Sequence, residues 1–110
     1  MIIATTNEIA GHETEEVFGE VFGLTVRSRN VFSQFGAGLK SMVGGELKGM
    51  TTALVDSRQQ VIDRMVAEAE SKGANAIAAM RFDASDLGNS WTEICAYGTA
   101  VRVTKTVGSA

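Results

Sequence analysis

The sequence predicts an α+β domain, and three observations predict it. One long stretch, Glu46 to Gly73, has helical periodicity. Two stretches, Val17 to Arg29 and Trp91 to Lys105, are rich in β-branched and aromatic residues. A third β-like stretch, Asn75 to Ala84, follows the helix directly. One hundred and ten residues, 45% hydrophobic and 21% charged, make a single domain over residues 1–110. A domain of this length buries roughly two-thirds of its unfolded surface, enough for stability without a disulfide or a metal.

Taken in order, Met1 to Thr5 is a short apolar start that reads as an edge strand. So few residues contribute little alone, so the strand is expected to pair with another element or another subunit. His12 to Glu16 holds the one histidine and three glutamates. Val17 to Arg29 reads as a strand or strand pair, in which Gly19 and Gly23 permit a bulge, a bend or the close approach of another backbone. Phe18, Glu20, Phe22, Leu24, Val26 and Ser28 share one parity there. Asn30 to Gly45 is glycine-rich, and Val31, Phe32, Phe35, Leu39 and Met42 have the spacing of a short, weakened helix.

In the long helix, Leu47, Met50, Leu54, Val61, Met65 and Ala69 fall on one face, and Val55, Ile62 and Val66 widen it. The opposite face, with Asp56, Gln59, Gln60, Asp63 and Arg64, reads as solvated. Lys72-Gly73 is a stop signal: a cation suits the helix C-terminus and glycine accepts the left-handed cap. The start is less defined, with Thr52 to Lys72 as the firm span. Arg58 sits in the apolar stripe. Its stem is expected to pack while its head reaches water, with Glu20 as the alternative partner. At 1.5 Å per residue the helix is about 39 Å long, three times the radius of gyration of about 13 Å for a chain this size. It therefore breaks near Gly49 or is covered in part by a neighbouring subunit. After it, Asp83 to Ser90 reads as a polar turn joining two antiparallel strands. Along Trp91 to Lys105, Glu93, Cys95, Tyr97, Thr99, Val101 and Val103 share one face.

Net charge is −3 and the isoelectric point about 5.1, which argues against a nucleic-acid module. Gly36-Ala37-Gly38 has Ser41 where a dinucleotide fingerprint needs its third glycine, and Gly49 is followed by Met50 where a Walker loop needs lysine. The N-terminus has neither the basic region nor the apolar core of a signal peptide, and no run is long enough to span a membrane. A single cysteine fits a reducing compartment, so a cytoplasmic protein is expected.

His12, Glu16 and Cys95 are the candidate metal ligands, since imidazole, carboxylate and thiolate all bind metal ions. The plainer alternatives are a solvated acidic turn at His12 to Glu16 and a small buried hydrophobe at Cys95. One cysteine and one histidine fall short of any closed single-chain zinc site. A symmetric ring repeats each ligand, so His12 or Cys95 at an axis is the one route to a soft-metal site. No catalytic constellation stands out: nothing in the sequence brings Cys95 and His12 together, and thirteen acids offer many carboxylate pairs with no preferred one.

The blocks GGELKGMTTALVDSRQQVIDRMVAEAESKGANAIAAMRFD and EICAYGTAVRV, with the opening IIATTNEI, resemble the YbjQ-like family of small proteins labelled as heavy-metal-binding. The resemblance runs from Ile2 to about Lys105. It implies a dodecin-like subunit, a three-stranded antiparallel sheet crossed by one helix, with extra short strands that aid assembly of a ring-shaped homopentamer. It transfers no catalytic residue. The expectation is a homo-oligomer that binds a metal ion or small molecule at a subunit interface, with no nucleic acid and no membrane as partner. The alternatives are a structural module without a ligand and an enzyme whose site forms between subunits.

Overall fold

The computed structural model describes residues 1–28, 48–88 and 90–106. The elements run β1 (Ile2–Ile3), β2 (His12–Ser28), α1 (Lys48–Ser71), β3 (Ala76–Leu87) and β4 (Trp91–Lys105). The four strands form one sheet in the order β1-β3-β4-β2. β4 pairs antiparallel with β2 and with β3, while β1 lies parallel to β3. The sheet is therefore four-stranded and mixed, where a three-stranded antiparallel sheet was expected. The difference is β1, which finds its partner within its own subunit. The short helix expected between Val31 and Met42 lies outside the described residues.

Helix α1 lies on one face of the sheet, mainly over β2 and β4. Val61, Met65 and Ala69, each one helical turn apart, are fully buried with Val21, Ile77 and Ala96 of the sheet. The helix ends as the Lys72-Gly73 signal requires. Gly73 adopts φ +90°, its N–H donates to the Glu70 carbonyl at 3.0 Å, and the Ala74 N–H donates to the Ala69 carbonyl at 3.1 Å. Those two bonds make a Schellman cap. At the other end the helix continues through Gly49 without a break. Its first half is left uncovered: Leu54 is 42% exposed and Val55 58%.

Two glycines on β2 do different work. Gly23 lies directly beneath the helix, where an added Cβ would stand 2.1 Å from the Val61 carbonyl oxygen. Gly19 adopts φ +99° at a register shift between Val17 and Gly19. A second shift lies between Thr14 and Glu16. A bulge adds one residue and so reverses which face the following side chains occupy. Phe18 is thereby turned to the helix side, against the core, away from Glu20 and Phe22 with which its parity groups it.

β2 is an edge strand, and the helix closes part of that edge. Arg64 Nη1 donates to the Leu24 carbonyl at 2.6 Å, Glu68 accepts from the Phe22 N–H at 3.4 Å, and Lys72 Nζ donates to the Glu20 carbonyl at 3.3 Å. Three side chains spaced four apart thus occupy the outward backbone groups of alternate strand residues. Arg64, read from sequence as solvated, is one of them. An edge strand left open is a template for pairing with other chains.

Candidate functional site

The face of the sheet away from α1 carries alternate residues of three strands. From β2 come Glu20, Phe22, Leu24 and Val26; from β4 come Trp91, Glu93, Cys95 and Tyr97; from β3 come Arg81 and Asp83. The register sets Leu24 and Asp83 on either side of Cys95, and Phe22 and Arg81 on either side of Tyr97. Phe22 is 43% exposed and Trp91 51%, and Leu24, Val26 and Tyr97 are also open. Glu20, Phe22, Leu24, Glu93, Cys95 and Tyr97 line a shallow groove of about 370 Å³ on this face. The groove is walled by aromatic and aliphatic side chains, with carboxylates and one thiol among them.

The Cys95 thiol is half-buried, and its Sγ contacts the Ala96 carbonyl oxygen at 3.6 Å. Burial pushes its pKa up, and the negative charges of Glu93, Asp83 and Glu20 push the same way. The chain on its own therefore holds Cys95 as a protonated thiol at neutral pH, which is neither a nucleophile nor a thiolate ligand. The folded state favours the protonated form. That contribution to stability is complete below the ordinary thiol range and is lost as pH rises through the raised value. Iodoacetamide is expected to alkylate Cys95 with a pH midpoint above that of a free cysteine, and Glu93→Gln is expected to lower it. A midpoint that does not move in Glu93→Gln removes that carboxylate as a cause.

The three candidate metal ligands are placed apart. His12 pairs with Lys105 at one end of β4, and Cys95 lies ten residues away along that strand, roughly 33 Å at 3.3 Å per residue. Glu16 follows the first bulge and pairs with Arg102, on the helix side, since the Arg102 guanidinium donates to the Gly73 carbonyl. His12 and Glu16 therefore point to opposite faces, although they share a parity in sequence. Among the described residues, no three His, Cys, Asp or Glu side chains gather so as to hold a metal ion. His12 does have one ligand-like feature. Its Nδ1 donates to the Ala10 carbonyl at 2.9 Å, since a carbonyl can only accept, which leaves Nε2 as the nitrogen able to ligate in the neutral ring.

Arg58 extends from the exposed half of α1, with Cζ 4.7 Å from the centre of the Phe82 ring, a cation–π contact. Arg58 is exposed, and the contact it makes is through its guanidinium head rather than the stem expected to pack. Glu20 is not its partner, because Glu20 lies on the opposite face of the sheet. The sequence reading grouped Glu93, Cys95 and Tyr97 on one face of β4, and Glu20, Phe22 and Leu24 on one face of β2. What it missed is that these two faces are adjacent and open together, with Asp83 beside them. Asp83 read as part of a turn, yet β3 runs on to Leu87.

Fold and site together define a small α+β protein with, among the described residues, one helix on one face of its sheet and an uncovered acidic and aromatic groove on the other. The chain belongs to the YbjQ-like family, whose model, described as "Putative heavy-metal-binding", matches residues 1–104. A UPF0145 protein of Acidothermus cellulolyticus is 66% identical over 105 residues, covering 96% of this chain and 97% of its own length. UPF0145 proteins of Streptomyces coelicolor and Lactococcus lactis subsp. lactis are 55% and 54% identical over 105 residues, with 96% of this chain covered in each case and 99% and 96% of theirs. A crystal structure of a Pediococcus pentosaceus protein of unknown function, assigned to the DUF74 family, has a similar fold. Its TM-score is 0.56 at 11% identity, covering 94% of this chain and 98% of that one.

Proposed function

We propose that the chain is the subunit of a cytoplasmic homo-oligomer, a pentamer of dodecin-like subunits, that binds a metal ion or a small molecule where subunits meet. The observation that carries this reading is the groove at Cys95. It has ligand-like groups, two carboxylates and a thiol between aromatic walls, and is open on a single subunit. The uncovered first half of α1 supports assembly from the other side of the molecule. The pentamer itself rests on the family resemblance of the sequence, and the compartment on the single cysteine. Binding is favoured over catalysis because Cys95 is held protonated and has no histidine near it to act as a base.

Native mass spectrometry of the untagged protein, before any chelator is added, tests this. The expected result is a pentamer with a reproducible extra mass, which identifies the ligand as metal or small molecule. A monomer would sink the reading. For a metal, His12→Ala and Cys95→Ser are each expected to reduce the bound stoichiometry, and an unchanged value in both removes them as ligands. The absence of a three-ligand cluster among the described residues favours a second reading, an assembly module with no ligand of its own. A pentamer with no adduct is its signature.

A further inference from the structure

We propose that the open sheet face is covered by the first half of the helix of a second copy, so that Leu54, Val55 and Arg58 of one subunit close the Cys95 groove of the next. The inference rests on the reading of the chain as a homo-oligomer, and not on the identity of any ligand.

Three features of one subunit point to this arrangement. First, the edge beside the groove is taken: Arg64, Glu68 and Lys72 occupy the outward backbone groups of β2 from Glu20 to Leu24. Strand pairing at that stretch is thus disfavoured, and the face is left. Second, the sheet face cannot meet its own copy well. Glu20, Glu93 and Asp83 outnumber Arg81 there, so a self-contact would bring an excess of like charge into a water-poor interface. Third, the exposed half of α1 is complementary. Leu54 and Arg58 lie one turn apart beside Phe82, and Val55 is next to them. Asp56 lines a different pocket, with Arg27, Gln60 and Asp63. The patch is apolar with a guanidinium, and the groove is apolar with carboxylates.

Two different surfaces meet in such a contact, so it is heterologous and propagates head to tail until the rotation closes a ring. The Cys95 site is incomplete in one subunit, and the neighbour covers it. The guanidiniums of Arg58 and Arg81 against the carboxylates of Glu20, Glu93 and Asp83 leave the closed face negative, which suits a cationic ligand.

A mixing experiment separates this from any symmetric contact. Phe22→Asp spoils the sheet face and keeps the helix patch; Leu54→Asp does the reverse. Each variant alone is expected to be monomeric at micromolar concentration by light scattering after size exclusion, with wild-type circular dichroism. Mixed in equal amounts, they are expected to form a 1:1 dimer, because one intact copy of each surface remains. A mixture that stays monomeric overturns the proposal, as does a monomeric wild type or an oligomer that survives both substitutions. Tyr97→Asp and Val55→Asp probe the same two surfaces and repeat the test if either first variant fails to fold. Native mass spectra of the wild type report the ligand separately. A ligand-free oligomer that passes the mixing test supports this interface while removing the bound ligand.

Discussion

Gly23→Ala is expected to cost about 3 kcal/mol of stability or more, at the upper end for an overpacked core position. The added methyl would stand 2.1 Å from the Val61 carbonyl oxygen, 2.6 Å from the Met65 amide nitrogen and 2.8 Å from Arg64 Cβ. Two of these atoms are helix backbone, which cannot swing away as a side chain end can. The helix must lift from β2, and the contacts of Val61 and Met65 with Val21 loosen with it. Glycine to alanine at an open position with an ordinary backbone stabilises by about 0.4–1 kcal/mol through the unfolded chain, so the sign of the effect is informative. Gly19→Ala is the control. Nothing lies within 4 Å of its added Cβ, so its cost comes from the φ of +99° alone, about 1–3 kcal/mol. Urea unfolding of both variants checks the comparison. A Gly23→Ala midpoint at or above the wild-type value would mean that helix and strand do not approach so closely.

Asn75→Ala is expected to cost about 2–4 kcal/mol. The Asn75 side chain acts as a short piece of strand: Nδ2 donates to the Val103 carbonyl and Oδ1 accepts from the Val103 N–H, both at 2.8 Å. The Asn75 N–H also donates to the Val101 carbonyl at 3.1 Å. β3 begins only at Ala76, so the amide extends the pairing of β3 and β4 by one step where the chain leaves the helix cap. Val103 is 4% exposed, and alanine at position 75 leaves both of its backbone groups without this partner, at about 1–3 kcal/mol each. Asn75→Asp keeps the acceptor for the N–H but sets a carboxylate oxygen against the Val103 carbonyl, so it is not expected to rescue. Hydrogen exchange at the Val103 amide, measured with the unfolding midpoint, is the check. Unchanged protection would show that another acceptor replaces Oδ1.

Most of the element list was legible because local patterns carry it. The spacing of Val61, Met65 and Ala69 marks a buried helix stripe wherever the helix lies, and Lys72-Gly73 stops a helix by local conformation. The alternation of Ile94, Ala96 and Ala100 with Glu93, Cys95 and Tyr97 divides β4 into a packed face and an open one. Other features required the fold. HETEE reads as an acidic turn leading into a strand, and pairing with β4 makes it the start of β2. Asp83 to Leu87 looks like a turn by composition, since Ala84 and Leu87 among polar residues are too few to mark a period. Arg64 and Glu68 look like solvated helix residues, and their bonds to β2 depend on the strand passing beside them.

The amino-acid sequence by itself determined an α+β fold, its long helix, its principal strands, its family, and the side chains that share a face with Cys95. Tertiary structure alone decided which of those faces meet. Two bulges in β2 send Glu16 to the helix side and return Glu20, Phe22 and Leu24 to the open side. A one-residue slip reverses a strand, and periodicity counted along the chain does not register it. The same pairing sets His12 roughly 33 Å from Cys95 and brings Asp83 and Leu24 to its two sides. The physical reason is range: helix and strand signals arise within a few residues, whereas the Cys95 groove is made by β2 and β4, which are neighbours in the sheet but far apart in the chain.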